Sequence, residues 1–248
     1  MRKEITRLKK IIKNSNKIVV FSGAGLSTES GIPTYRGAGG LWTKYDPSIY
    51  ANINYFQQDP SYYWRFFQEI RYPMIKKAKP NNAHLALVQL EKQGKIYRVI
   101  TQNIDGLHQL AGQSHVIELH GNTRRFFCMN CSKNYSMDDA YSLLKKLFPP
   151  RCVCGGILRP DTVFFGEPLK SSELERAVHS AKKCDLFLVV GSSLVVTPAA
   201  ELPIVAKRYN AKLAIVNIDP TPLDEIADIL INEKASKVLS EIIEKTNS

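Results

Sequence analysis

Five short runs of apolar and β-branched residues are the feature that most constrains the fold of this chain. Stretches of helical periodicity, such as 84–92 and Ser171–Lys183, separate the runs. Nearly continuous apolar strands that alternate with helices are typical of a parallel sheet covered on both faces. Asn82 is the expected N-cap of the first helix, and Ser171 or Ser172 that of the second. We therefore predict an α/β fold with a Rossmann-like, doubly wound parallel sheet, whose strands cover 17–22, 95–101, 116–119, 185–191 and 212–218.

The residues that follow these runs are small or polar. In doubly wound sheets, ligands bind at the carboxyl edge, where the strands end. The segments that would meet there are 22–25 (SGAG), 101–105 (TQNID), 120–121 (HG), 191–193 (GSS) and 217–219 (NID). Each segment alone is weak evidence, but together they predict a nucleotide site at this edge.

The first of these turns, in VVFSGAGLS, departs from the common dinucleotide fingerprint G-x-G-x-x-G. After Gly23 and Gly25 the third glycine would fall at position 28, where the chain has Thr28. The two glycines still let the backbone approach a phosphate closely, and the turn at 191–193 offers a second set of donors. Two such turns suit a diphosphate, and Asn217 is the candidate to hold the ribose. The alternative is a tight turn between a strand and a helix that binds no ligand.

Four of the five cysteines are paired in the sequence, as C-x2-C and then C-x-C after twenty residues. In a chain without a secretory signal, such pairs favour a metal site over disulfides. All four places around a tetrahedral Zn²⁺ would be filled by protein thiolates, which indicates a structural ion closed to substrate. Buried or redox-active cysteines are the alternative, and Cys184 is expected to be a small core residue. The predicted zinc ligands are Cys128, Cys131, Cys152 and Cys154.

Two segments interrupt the alternating pattern of strands and helices. One contains the paired cysteines, and the other is rich in Tyr, Phe and Trp and has little strand character. We therefore expect a small domain inserted into the sheet domain, made of a zinc module and a module of helices and loops. The predicted nucleotide-binding domain comprises 1–32, 80–121 and 160–248, and the small domain comprises 33–79 and 122–159.

The net charge of +11 indicates a preference for anionic partners. Seven basic residues lie within the first 17 positions, but Ile5, Leu8 and Ile12 recur there at helical spacing. The basic side chains are therefore expected to cover the solvated face of a helix, with a nucleic-acid patch as the alternative. No apolar run approaches the ~20 residues that a membrane-spanning helix needs, so we expect no membrane association. The polar N-terminus favours a cytoplasmic protein.

Six sequence blocks, in order, resemble the signature blocks of the sirtuins, the NAD-dependent protein lysine deacylases. They are GAGLSTESGIPTYRG, TQNIDGLHQLAG, ELHGN, CMNC…CVCGG, LRPDTVFFGE and VVGSSLVV, and the resemblance extends from about Ile11 to Leu239. In sirtuins the acyl-lysine carbonyl oxygen attacks the nicotinamide ribose and displaces nicotinamide. The products are free lysine and O-acyl-ADP-ribose. The resemblance therefore implies NAD as co-substrate, one structural Zn²⁺ and acylated proteins or peptides as substrates.

The resemblance also implies roles for individual residues. His120 matches the catalytic base, although a histidine and a glycine after a strand also fit a simple turn. Asn103 matches the asparagine that orders the ribose, and Tyr35 stands where the family has a phenylalanine that shields it. The implied cofactor-binding residues are Gly23, Ala24, Gly25, Ser27, Thr28, Tyr35, Arg36, Gln102, Asn103, Ile104, Asp105, Gly191, Ser192, Ser193, Asn217, Ile218, Asp219 and Ala235. The implied substrate-binding strip, which would also fit an ordinary buried strand, is Val163, Phe164, Phe165, Gly166 and Glu167.

The acyl group preferred is expected to be acetyl. Family members that prefer succinyl or malonyl groups have Tyr-x-x-Arg in the acyl pocket, and those two places fall here on Phe67 and Ile70. An apolar pocket would not stabilise a buried carboxylate. We therefore predict an NAD-dependent deacetylase. The enzymatic alternatives are removal of longer apolar acyl groups and ADP-ribosylation of proteins. The non-enzymatic alternative is a zinc-ribbon protein that binds nucleic acid. The basic charge loosely suggests substrates associated with chromatin.

Overall fold

Strands and helices alternate along the chain in a computed structural model that describes residues 1–37 and 39–244. Ala38, in the predicted small domain, and 245–248, in the predicted nucleotide-binding domain, lie outside the described residues. The strands are β1 Ile18–Ser22, β2 Ile96–Thr101, β3 Val116–Glu118, β4 Gly121–Cys128, β5 Asn134–Ser136, β6 Leu158–Thr162, β7 Leu186–Val190, β8 Lys212–Val216 and β9 Ile229–Ile231. The α-helices are α1 Arg2–Asn14, α2 Pro47–Tyr50, α3 Ile53–Gln58, α4 Ser61–Phe66, α5 Tyr72–Lys77, α6 Asn82–Lys92, α7 Leu107–Ala111, α8 Met137–Leu144, α9 Ser171–Lys183, α10 Leu202–Arg208 and α11 Ala235–Glu244.

The main sheet is parallel and has the strand order β3-β2-β1-β7-β8-β9. The chain builds one half outward from β1 to β3, and then returns to the other side of β1 to build β7 to β9. Strand order therefore reverses between β1 and β7, which is where open α/β sheets leave a crevice for a ligand. The predicted doubly wound fold is confirmed, with β9 as a sixth strand that the sequence pattern did not reveal.

Alternate residues of the central strands face opposite layers of helices. Ile18 and Val20 pack toward α1, α6 and α11, whereas Val19 and Phe21 pack toward α9 and α10. All four side chains are fully buried, which accounts for the continuous apolar character of the strand. Helix α1 contributes Ile5, Leu8 and Ile12 to the first layer, so its basic side chains cover the outer side of the helix.

A second hydrophobic core lies outside the main sheet. It joins aromatic residues of the 33–79 segment, such as Trp64 and Phe67, to Phe126 of β4 and to Cys128 and Cys152. Strands β5, β4 and β6 form a small antiparallel sheet in this part of the chain. The two interrupting segments thus pack against each other rather than separately against the main sheet.

Two predicted helix caps were wrong. Asn81, not Asn82, caps α6, because its side chain accepts hydrogen bonds from the backbone of Ala83 and His84. Helix α9 begins at Ser171, so Lys170 occupies the capping position and no side chain caps this end. No helix within the described part of the chain is both long and apolar enough to cross a membrane.

Candidate active site

A cavity of about 950 Å³ opens at the carboxyl edge of the main sheet, beside the reversal between β1 and β7. The turns after β1, β2, β7 and β8 line one side, and the segment after β6 lines another. All the predicted cofactor and substrate residues line this cavity except Ser27 and Asp105. The sheet topology, which the sequence pattern predicted, is what brings these distant segments together.

The glycines of the first turn are required by contact with the turn after β7. A Cβ on Gly25 would lie 2.8 Å from the Cα of Gly191, and one on Gly23 would lie 2.7 Å from its carbonyl oxygen. Gly191 itself has a φ of +62°, and a Cβ there would lie 2.3 Å from the backbone nitrogen of Leu26. The two turns are therefore in direct backbone contact, as the hydrogen bond from the N–H of Gly25 to the carbonyl of Gly191 also shows, and they form one concave surface suited to a diphosphate.

Asn103 is held rigidly beneath this surface. Its side-chain amide donates to the carbonyl of Gly23 at 3.0 Å and to the hydroxyl of Ser27 at 3.2 Å. Ser27 in turn donates to the carboxylate of Asp105 at 2.7 Å, and the N–H of Leu107 donates to the other carboxylate oxygen. Burial raises the pKa of Asp105, and these two hydrogen bonds oppose that rise. Ser27 and Asp105 thus form a supporting layer behind the cavity wall.

A second polar network, which sequence reasoning missed, joins the ends of β1 and β2. Ser22 donates to Thr101 at 2.8 Å and contacts the Nε2 of His108 at 2.8 Å, while Thr101 accepts from the backbone N–H of Asn103. His84 packs edge-on against His108, with ring centroids 5.2 Å apart. Burial lowers the pKa of both imidazoles, to about 3 for His84 and about 4 for His108. Both rings are therefore neutral at ordinary pH.

His120 follows β3 and faces the cavity. Its Nδ1 lies 3.1 Å from the carbonyl oxygen of Gln102, which can only accept a hydrogen bond, so Nδ1 carries the proton. The Nε2 is then unprotonated and able to take up a proton. Burial lowers the pKa of His120, the Gln102 carbonyl opposes this, and the positive charge of Arg36 lowers it further. The neutral, base-competent form therefore predominates at neutral pH.

The segment after β6 joins the two parts of the molecule at the cavity. The backbone N–H of Val163 donates to the carbonyl of His120, and Phe165 exchanges two backbone hydrogen bonds with Ala51 and Ile53. Glu167 accepts two hydrogen bonds from the guanidinium of Arg159. This strip of extended chain therefore lies between the base and the aromatic segment.

The two phenylalanines of this strip have different environments. Phe164 is 4% exposed and packs against Phe56 and Tyr63, in the second core. Phe165 is 40% exposed and meets the ring of Trp42, with centroids 6.3 Å apart. Phe165 is thus the ring available at the mouth of the cavity, whereas Phe164 mainly anchors the strip.

The aromatic segment presents a second arginine to the cavity, besides Arg36. Phe67 and Ile70, the positions chosen from the sequence spacing, do not line the cavity, and Phe67 is fully buried in the second core. Arg71 does line it. The reason is a π-helical turn at Phe67–Arg71, which holds more residues per turn than an α-helix and so shifts the residue that faces inward.

The four paired cysteines converge although they come from two distant hairpins. Their sulfur atoms all lie within 4.8 Å of one another, and the closest pairs are separated by 3.5 Å and 3.6 Å. Zn–S bonds of about 2.3 Å in a tetrahedron place sulfurs about 3.8 Å apart, so this donor set fits Zn²⁺. The hydroxyl of Tyr135 donates to the sulfur of Cys152 at 3.0 Å, as expected for a thiolate ligand. Cys184 is buried in the main core, as predicted.

A model described as "Sir2 family" matches residues 23–198, which is most of the chain. The chain belongs to the Sir2 family, the sirtuins. A protein of Sulfurisphaera tokodaii named "NAD-dependent protein deacetylase" is 46% identical, over 99% of this chain and 97% of the relative. A protein of Archaeoglobus fulgidus named "NAD-dependent protein deacylase 2" is 47% identical over the same shares.

Solved Sir2 structures have the same fold along the whole chain. One described as a Sir2–p53 peptide–NAD⁺ complex superposes with a TM-score of 0.91 and 40% identity, over 98% of both chains. Another, from work on the mechanism and regulation of Sir2 enzymes, gives a TM-score of 0.89 and 47% identity, over 100% of this chain and 99% of the other. The resemblance noted in the sequence is thus confirmed in both sequence and fold.

Proposed function

We propose that this Sir2-family chain is an NAD-dependent protein lysine deacetylase. The observation that carries the proposal is the position of His120. Its unprotonated Nε2 can act as a base in the cavity that the two glycine turns and the strip at 163–167 also line. The relative from Sulfurisphaera tokodaii is named for this activity. A similar Sir2 structure is described as containing a deacetylated peptide and an acetylated ADP-ribose.

NAD supplies the ADP-ribosyl group that accepts the acetyl group, with nicotinamide as the leaving group. The turns at 23–25 and 191–193 would hold its diphosphate between them, because their glycines let the backbone approach the phosphates closely. Asn103 and Gln102 define the floor beside the ribose, and both are fixed by hydrogen bonds, since Gln102 donates to Ser192 at 2.7 Å. Ile104 and Asp105 are the residues proposed to receive the nicotinamide carboxamide. Asp105, behind the cavity wall, still has acceptor capacity, because a carboxylate can accept about four hydrogen bonds.

Side chains and backbone of the cavity have three further roles in the reaction. His120 removes a proton from the ribose hydroxyl, which it can do because Gln102 fixes its tautomer. Tyr35, packed on Trp42 with centroids 5.2 Å apart, covers the reacting ribose and excludes water. The strip at Val163–Glu167 pairs with the substrate backbone as an added strand. The substrates proposed are acetylated proteins and, among them, basic proteins bound to chromatin.

We also propose the predicted division into two domains, with a small adjustment. Separate hydrophobic cores support it, because the second core draws most of its residues from 33–79 and from 122–159, with Ile32, Leu107 and Phe164 from outside these ranges. Strand β6 pairs with β4 as far as Thr162, so the small domain extends slightly beyond position 159.

The test is turnover of an acetyl-lysine peptide by the purified chain with and without NAD. We expect NAD-dependent loss of acetyl, abolished by His120→Ala and retained by His179→Ala, which changes an exposed histidine that does not line the cavity. Equal turnover by His120→Ala and the native chain would contradict the role given to this base.

A further inference from the structure

Arg124 holds the turn after β2 from the side of the small sheet. Its Nε donates to the backbone carbonyl of Asp105 at 2.7 Å, and its Nη2 donates to the carbonyl of Ile75 at 3.0 Å. The backbone N–H of the preceding Thr123 donates to the carbonyl of Ile104 at 2.8 Å. Two consecutive carbonyls of the turn are therefore held by two consecutive residues of β4.

An irregularity in β4 frees these two residues for this contact. Gly121 and Asn122 pair with β6, and pairing resumes only at Phe126, with a shift of register between them. The side-chain oxygen of Asn122 accepts the backbone N–H of Arg124 at 2.8 Å and so fixes the local backbone. Such irregularities often redirect a side chain beside an active site. In this chain the redirected side chain reaches the turn at 104–106.

The turn at 104–106 and Arg124 are in close contact. A Cβ on Gly106 would lie 2.9 Å from the Cδ of Arg124 and 3.1 Å from its Nε, so the guanidinium stem passes directly over this glycine. Ile75, whose carbonyl Arg124 also binds, belongs to the second core, as does Leu107. Arg124 therefore ties the turn to the core of the small domain.

Ile104 and Asp105 of this turn are the residues proposed above to receive the nicotinamide carboxamide. Arg124 itself does not line the cavity, so any effect on nicotinamide passes through the turn. Burial raises the pKa of Asp105, and the positive charge of Arg124 is among the effects that oppose this rise. The arginine thus also favours the ionised carboxylate, which accepts hydrogen bonds from an amide.

We propose that Arg124 is a positioning residue, which fixes the turn at 104–106 and thereby sets the affinity of the site for nicotinamide. The inference rests on the proposed function, since it concerns the leaving group of the same reaction. The two diphosphate turns contact each other directly and lie after β1 and β7. Loosening the turn after β2 should therefore weaken nicotinamide binding much more than the binding of ADP-ribose, which has the diphosphate but no nicotinamide.

The experiment measures how strongly free nicotinamide inhibits NAD-dependent deacetylation, with NAD at each variant's own KM. The affinity for ADP-ribose is measured separately by calorimetry. Methionine keeps much of the apolar stem but cannot donate, so in Arg124→Met the half-inhibiting nicotinamide concentration should rise at least ~10-fold. The Kd of ADP-ribose should change less than ~2-fold. Lysine keeps the charge but lacks the planar fork that reaches both carbonyls, so Arg124→Lys should show a smaller rise, of about 3-fold.

Arg125→Met is the matched control. Arg125 is the next residue of β4, is exposed, and pairs with Glu118 and Asp161 instead of the turn. Its replacement should leave inhibition by nicotinamide at the native level.

The outcomes separate this inference from the proposed function. Native sensitivity to nicotinamide in a folded Arg124→Met variant would overturn the inference and leave the deacetylase standing. An equal loss of affinity for ADP-ribose would also overturn it, because Arg124 would then support the whole cavity. Where Arg124→Met does not fold, Arg124→Lys decides, and native sensitivity in that variant would overturn the inference. Absence of NAD-dependent turnover by the native chain would instead contradict the proposed function.

Discussion

The buried pair of His84 and His108 predicts a loss of stability in mildly acidic solution. Both imidazoles are neutral in the folded chain, with pKa values of about 3 and about 4, whereas an exposed histidine titrates near 6.5. The unfolded chain therefore binds more protons below pH ~6.5, and the free energy of unfolding falls as the pH falls. Between pH ~7.5 and pH ~5.5 the loss is about 1.35 kcal/mol for each histidine, or about 2.7 kcal/mol for the pair.

The assay is urea unfolding at several pH values in this window, with zinc present, for the native chain and for His108→Gln. Glutamine can still donate to Ser22 but does not ionise, so the variant should lose about 1.3 kcal/mol less than the native chain over the window. His179→Gln, at an exposed position, is the control and should behave as the native chain does. Equal pH dependence in native chain and His108→Gln would refute the argument, whatever the absolute stability of the variant.

Three further predictions concern the active site and the metal. Because burial lowers the pKa of His120, the acid limb of kcat/KM should have its midpoint below pH ~6.5, and a midpoint above pH ~7 would be inconsistent with the environment described. Gly191→Ala places a Cβ against the backbone of Leu26, at a residue whose φ is positive. The affinity for NAD, measured by calorimetry, should therefore fall at least ~10-fold. An unchanged affinity would argue against the two-turn phosphate site. Elemental analysis should find one zinc per chain, and Cys131→Ser should lower both the zinc content and the melting temperature, whereas an unaltered metal content would exclude the four-thiolate site.

The main sheet and the position of the site were predictable because both depend on local patterns. Continuous apolar strands indicate a parallel sheet, and the small or polar residues after them must meet at its carboxyl edge. The cysteine pairs likewise predicted their own convergence, which the sulfur positions confirm. Strand β9 was missed because its apolar run, Ile229–Ile231, is only three residues long.

Arg71 could not be assigned from spacing, for a physical reason. The side chains of a helix that face the cavity depend on the number of residues per turn, and the π turn at Phe67–Arg71 changes that number locally. The sequence contains an arginine among aromatic residues, which is a weak signal, but nothing in it specifies the π turn. Ser22, Thr101 and His108 were missed as a network for a related reason, since they come from three separate elements and meet only in the fold.

The most direct test of the account is the fate of the acetyl group. An acetyl-lysine peptide labelled with deuterium in the acetyl methyl group would be incubated with the native chain and NAD. All products would then be identified and quantified by mass spectrometry. We predict one labelled acetyl on ADP-ribose and one nicotinamide for each lysine released. Labelled acetate with no acetylated ADP-ribose, or ADP-ribose attached to protein in place of lysine release, would contradict the proposal that this cavity transfers acetyl from lysine to the ADP-ribosyl group of NAD.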